Sequence, residues 1–289
     1  MRTIEKILVM LHADPAEDLA LARGKQLAQS LGAELQLLLC DPREEHAEYL
    51  DGLLTTLRGE GFRVQGEQVQ GQPQHAYAAI LAAHQLHACD LVIKQHYRSP
   101  LLSQLFRLAD DWQLSRELPT PLLLVKTARP WTDSIVLAAM DVDHQDQEHR
   151  ALQGNIIDYT ADLCRLFHAE LHVVCAYTAP PLADPDIHIK QAIAQHCHDQ
   201  CQWFQREYAL AERHLHIAEG PAKSLIPRVA REQGAALTVL GTVARRGLGG
   251  MLVGNTAETV LERLDSDVLI LKPHELPAKR VEPSGQRAA

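Results

Sequence analysis

Aromatic side chains are scarce, Phe, Trp and Tyr together making 4 % of the 289 residues. Single-stranded nucleic acids are gripped by stacking on such rings, so this sequence argues against that partner. Positive charge is the minority sign, with 28 Lys and Arg against 37 Asp and Glu and a net charge of −9. Binding to a DNA or RNA backbone draws on clustered cations, so a nucleic-acid partner is not expected. Long apolar runs are missing too. The opening "MRTIEKILVMLHAD" carries a run from Ile7 to Leu11, shorter than a secretion-signal core, and no later segment reaches bilayer length. No membrane partner is expected. The six cysteines have no secreted disulfide spacing, and Cys40 and Cys175 close apolar runs that read as buried strands. A cytoplasmic protein with reduced thiols is the reading. Finally, there is no Gly-x-Ser-x-Gly elbow, no Walker loop and no HExxH. Without a base–nucleophile pair or a defined metal site, no enzyme is expected.

What is present is a duplication. "AELQLLLC" (33–40) is echoed by "AELHVVCAY" (169–177), "DLVIK" (90–94) by "LTVLG" (237–241), and "TPLLLVK" (120–126) by "SDVLILK" (266–272). The join falls near "ARPWTD" (128–133), giving domains at 1–129 and 132–274, with 275–289 an aperiodic tail expected to be disordered. Each copy alternates near-continuous apolar strands with amphipathic helices. Ala20, Gly24, Leu27 and Leu31 line one helix face, and Gly32 suits its C-terminus. Such alternation implies an α/β fold whose parallel sheet is covered on both faces. Two tandem doubly wound, Rossmann-like sheets follow, each with its ligand crevice beyond the carboxyl ends of the strands.

The stretch "GTVARRGLGGMLVGNTAETV" begins where one such strand ends. Gly241 is expected to turn the chain sharply, and Gly254 to bring the backbone close to the mouth of the next helix. Asn255 suits the N-cap, with Glu258 three residues on. Free N–H groups of the first turn would accept an anion such as phosphate, aided by Arg245 and Arg246. The plainer reading is a well-capped connection with both arginines in solvent.

This segment resembles the signature of the universal stress protein family, Gly-x2-Gly-x9-Gly-(Ser/Thr), with Gly241 and Gly254 at the first and third glycines. "LVIK…DDWQL…PTPLLLVK" and "VLGTV…GNTAE…LILKP" resemble its tandem two-domain type over about residues 4–274. The resemblance implies five-stranded parallel sheets packed as a pseudo-dimer, their last strands paired, with a homodimer of tandem chains as a further level. It also implies a stress-response role and, in some members, ATP or AMP as ligand. The sequence departs from the ATP-binding pattern: Ala244 stands at the second glycine and Asn255 at the Ser/Thr, with Thr256 next. Met140 aligns with the adenine-reading carboxylate, and Asp141 and Asp143 follow. The candidate ligand site is therefore Asp141, Gly241, Thr242, Ala244, Arg245, Gly254, Asn255 and Thr256, for a nucleotide or another anionic small molecule. In the first copy Lys94, Tyr97 and Leu108 replace the glycines and His12 the carboxylate, while Ala109-Asp110-Asp111 is expected to open the helix and repel phosphate. That copy reads as a lost site. A weak Mg²⁺-dependent ATPase using Asp141 and Asp143, and a ligand-free scaffold, are the alternatives.

"HCHDQC" (196–201) puts Cys197, His198 and Cys201 at helical spacing, with His188 before and His214 and His216 after. A His-rich amphipathic helix is the plainer reading, and no metal is assigned. His84 and His87 flank Cys89 at a helix end, where protonated capping histidines are expected.

Overall fold

A computed structural model describes residues 4–12, 18–41, 43, 45–70, 76–96, 104–140, 147–177, scattered positions between 191 and 206, 208–242 and 255–273. In chain order the first half holds β1 (Lys6–Leu11), α1 (Leu19–Leu31), β2 (Glu34–Cys40), α2 (Glu45–Gly59), β3 (Val64–Val69), α3 (Ala76–His87), β4 (Leu91–Gln95), α4 (Gln104–Glu117) and β5 (Leu122–Val125). The second half holds β6 (Ile135–Met140), α5 (Gln147–Phe167), β7 (Glu170–Tyr177), β8 (Leu215–Glu219), α6 (Ala222–Gln233), β9 (Leu237–Gly241), α7 (Asn255–Arg263) and β10 (Asp267–Leu271).

The strands form one ten-stranded sheet in the order β3-β2-β1-β4-β5-β10-β9-β6-β7-β8. Pairing is parallel within each half and antiparallel at the centre, where Val268, Leu269 and Ile270 of β10 face Leu124, Leu123 and Leu122 of β5. Read from the centre outward, the two halves run 5-4-1-2-3 and 10-9-6-7-8, the same topology twice. Alternate strand residues feed opposite layers. Val9, Leu37, Val136 and Val173 pack with α1, α2 and α5, whereas Leu8, Leu38, Leu137 and Val174 pack with α3, α6 and α7. Both faces being covered explains why the central strands read as unbroken apolar runs.

Helix termini follow local chemistry. Asp18 caps α1 by accepting from the Leu21 N–H, and Gly32 closes that helix in the left-handed region at φ 67°. α4 begins at Gln104, not at Ala109, so Asp111 lies in the middle of that helix and not at its N-terminus.

The seam between the halves is held by polar contacts as well as by strands. Asp267 is fully buried and accepts from Arg23 Nε at 2.9 Å, Trp131 Nε1 at 2.9 Å, and the backbone N–H groups of Lys126 and Thr127. The Arg23 guanidinium also lies 4.7 Å from the centre of the Trp131 ring. Two equivalent lysines then reach across in opposite senses. Lys126, just past β5, donates to Leu261 and Leu264 carbonyls at the end of α7, and Lys272, just past β10, donates to the Arg116 carbonyl at the end of α4. A cation at a helix C-terminus meets the negative end of the dipole.

Candidate functional site

In each half the strand order reverses between two neighbours, β1 and β4 in the first and β6 and β9 in the second. A crevice forms beyond the carboxyl ends of the strands at such a point.

At the second-half crevice, Met140 ends β6 and is buried, and Gly241 ends β9. Gly241 is not at positive φ among the described glycines; its role differs from the expected sharp turn. A Cβ there would lie 2.5 Å from Leu152 Cδ2 and 2.9 Å from Ile156 Cδ1. The missing side chain lets Leu152 and Ile156 of α5 lie against β9, and a Cβ there would require those side chains to shift. Thr242 follows, its N–H donating to the Leu271 carbonyl at 2.9 Å. Its hydroxyl oxygen is buried and has no hydrogen-bond partner among the described residues. Asn255 and Thr256 are the first two residues of α7. Asp141, Ala244, Arg245 and Gly254 lie outside the described residues, as does Asp143.

At the corresponding point of the first half, charged side chains pair with one another. Lys94, near the end of β4, donates to one carboxylate oxygen of Asp111, and His96 Nδ1 lies 2.7 Å from the other. Asp111 is 1 % exposed. Burial pushes its carboxyl up, but the Lys94 charge and the His96 contact more than offset this and hold it below the ordinary carboxylate range. The expected repulsion of phosphate by a helix-opening carboxylate is thus replaced by a closed ion pair in mid-helix. Alongside, Asp18 accepts the His12 N–H at 2.9 Å and Gln95 accepts the Leu19 N–H at 3.0 Å. Burial raises the Asp18 carboxyl, opposed by its backbone bonds to Leu21 and His12.

A model of the universal stress protein family matches residues 135–272. The crystal structure of a "Putative Universal Stress Protein" from Pseudomonas aeruginosa UCBPP-PA14 is 42 % identical, with 93 % of this chain and 94 % of that one covered at a TM-score of 0.82. The chain belongs to the universal stress protein family. It is also similar to universal stress protein E of Salmonella typhi, 31 % identical over 196 residues. That match takes in 64 % of this chain and 62 % of the relative's length. A universal stress protein from Archaeoglobus fulgidus, 15 % identical, shares the fold over 93 % of this chain and 97 % of its own at a TM-score of 0.63.

The histidines sort differently from their sequence spacing. Cys197 and Cys201 lie outside the described residues, as does His188, and His198 sits on a helical, half-buried position. His214 and His216 turn to β7: His216 Nε2 lies 3.0 Å from His172 Nδ1, and the His214 ring stacks on His172 at 4.4 Å. Burial, then the neighbouring His214 and His216, push His172 down to about 4. His172 was not singled out by the sequence, because its partners lie over forty residues away. His84 is buried, and burial lowers its pKa, the reverse of the expected protonated cap. His87 Nε2 instead contacts Glu67 on β3 at 3.2 Å. No helix among the described residues is long and apolar enough to cross a membrane.

Proposed function

We propose that the chain is a cytoplasmic, non-catalytic stress-response protein. Its two universal-stress domains, 1–129 and 132–274, pack as a pseudo-dimer, and the second holds a nucleotide, ATP or AMP, or another anionic small molecule. The contrast between the crevices carries this reading. In the first, Lys94, Asp111 and His96 are engaged with one another, whereas the second presents a side-chain-free strand end at Gly241 and a buried Thr242 hydroxyl with no partner among the described residues. The mouth of α7 completes it: free N–H groups at a helix start suit phosphate. The repeated strand order, the central antiparallel pair and the reciprocal lysines support the pseudo-dimer, since two-fold contacts occur in matched pairs.

The test is ligand-induced stabilisation of the full chain. At a hundredfold excess over its Kd a ligand adds about 2.7 kcal/mol, so ATP or AMP should raise Tm by about 5 °C. Thr242→Val, which deletes the hydroxyl at constant shape, should weaken binding about fivefold while Asp111→Asn leaves the affinity unchanged. No shift with either nucleotide defeats the nucleotide assignment and favours a scaffold. Steady phosphate release would make the protein an ATPase and overturn the non-catalytic reading.

A further inference from the structure

We propose that the edge of the sheet at β7 and β8 carries a site for a divalent transition-metal ion of the zinc class, held by His172 Nε2, His214 Nε2 and the Glu170 carboxylate. Glu170 and His172 stand at the amino end of β7, and His214 closes the short 3-10 turn Glu212–His214 that leads into β8. One donor atom from each lies within 4.8 Å of the others. His214 Nε2 is 3.3 Å from Glu170 Oε2 and His172 Nε2 is 3.8 Å from the same oxygen. Tetrahedral zinc with bonds of about 2.0–2.1 Å separates its ligand atoms by roughly 3.3 Å. One edge already has that length, and the Glu170 side chain, 62 % exposed, can close the edge to His172. The His214 ring has to turn out of its 4.4 Å stack on His172 to aim its lone pair at the same ion.

The tautomer of His172 supplies an independent argument. The ring is 4 % exposed, and its Nδ1 engages His216 Nε2 at 3.0 Å. Nε2 is buried with no hydrogen-bond partner among the described residues, and 3.8 Å from Glu170 is beyond hydrogen-bond reach. In the tautomer whose Nδ1–H donates to His216, Nε2 presents a lone pair toward the Glu170 carboxylate, and a cation between them would satisfy both groups. His216 then does for His172 what outer partners do at metal sites: it fixes the tautomer and aims the ring. Two imidazoles and one carboxylate leave a fourth position for water, the pattern of an open zinc site. Glu170 starts β7, whereas the crevice lies beyond the opposite, carboxyl ends of the strands, so this site is independent of the nucleotide reading.

Cobalt(II) makes the test spectroscopic. The chelator-stripped full chain, titrated with Co²⁺, should bind one equivalent with the visible bands of a tetrahedral ion, and Zn²⁺ should displace it. Glu170→Gln alters an exposed group and His214→Ala a largely buried one, both leave His172 itself unchanged, and far-UV circular dichroism checks the fold. Each should weaken Co²⁺ at least tenfold, and the pair should abolish the bands. Absence of tetrahedral bands in the parent chain overturns the site. So does unchanged affinity in the double variant, which would put the ion elsewhere in the chain.

Discussion

Asp267 ties together α1, the link between the halves, and β10, and its removal is the sharpest test of how the halves are joined. In Asp267→Ala, Arg23 keeps its contacts to the Thr127 and Arg129 carbonyls and to Gln26 but loses its counter-ion. The side chains of the pair are 9 % and 0 % exposed, so water cannot replace the carboxylate without opening the seam. Breaking one side of a buried pair costs about 3–5 kcal/mol. The Trp131 indole N–H and the Lys126 and Thr127 amides also lose their acceptor. Each stranded donor is worth about 1–3 kcal/mol, but the donors share one cavity and do not add. A loss of about 4 kcal/mol is expected, read from the urea midpoint by circular dichroism. The double variant Arg23→Met/Asp267→Leu should recover much of it, because an apolar pair strands no charge. A loss below about 1 kcal/mol in Asp267→Ala, or a double variant as unstable as the sum of the singles, would refute the buried pair as a seam element.

Other consequences are as direct. Gly241→Ala drives a Cβ to 2.5 Å from Leu152 Cδ2 and should destabilise by about 1–3 kcal/mol, with Leu152→Ala in the same chain relieving part of it; an unchanged unfolding midpoint would refute the packing role. Lys272 is held down to about 8, by burial first and by Arg116 second. Its folded pKa lies below its ordinary value, so between about pH 8 and 10.5 the unfolded chain binds more protons and this lysine makes stability rise with pH. Parent chain and Lys272→Met should therefore diverge in favour of the parent above pH 8 and run parallel below it. A difference that is flat or falls across that window defeats the assignment.

Much of the architecture was legible because burial on both faces leaves an unmistakable trace. Strands such as Ile7–Leu11 and Val136–Met140 are apolar at every position, since neither face meets water. The outer strands leave no such trace. "VQGEQV" of β3 and "LHIAE" of β8 are half exposed at the sheet edges, and neither was delimited from the sequence, nor was α2. Gly241 matters to packing for a reason that spacing does not show: spacing says that a side chain is missing, not which neighbour occupies the room. Asp111 was placed at a helix start by analogy with the second copy, whereas α4 begins seven residues earlier and leaves it facing Lys94.

The sequence by itself determined the α/β class, the net negative charge and the glycine that ends β9, because these are written in periodicity and composition. Tertiary structure decided which groups meet. It set Lys94 and His96 on Asp111, Arg23 and Trp131 on Asp267 across more than a hundred residues of chain, and His172 beside His214 and His216 on the sheet edge. Such encounters are fixed by strand order and register, and parallel crossovers bring together side chains that no local spacing relates.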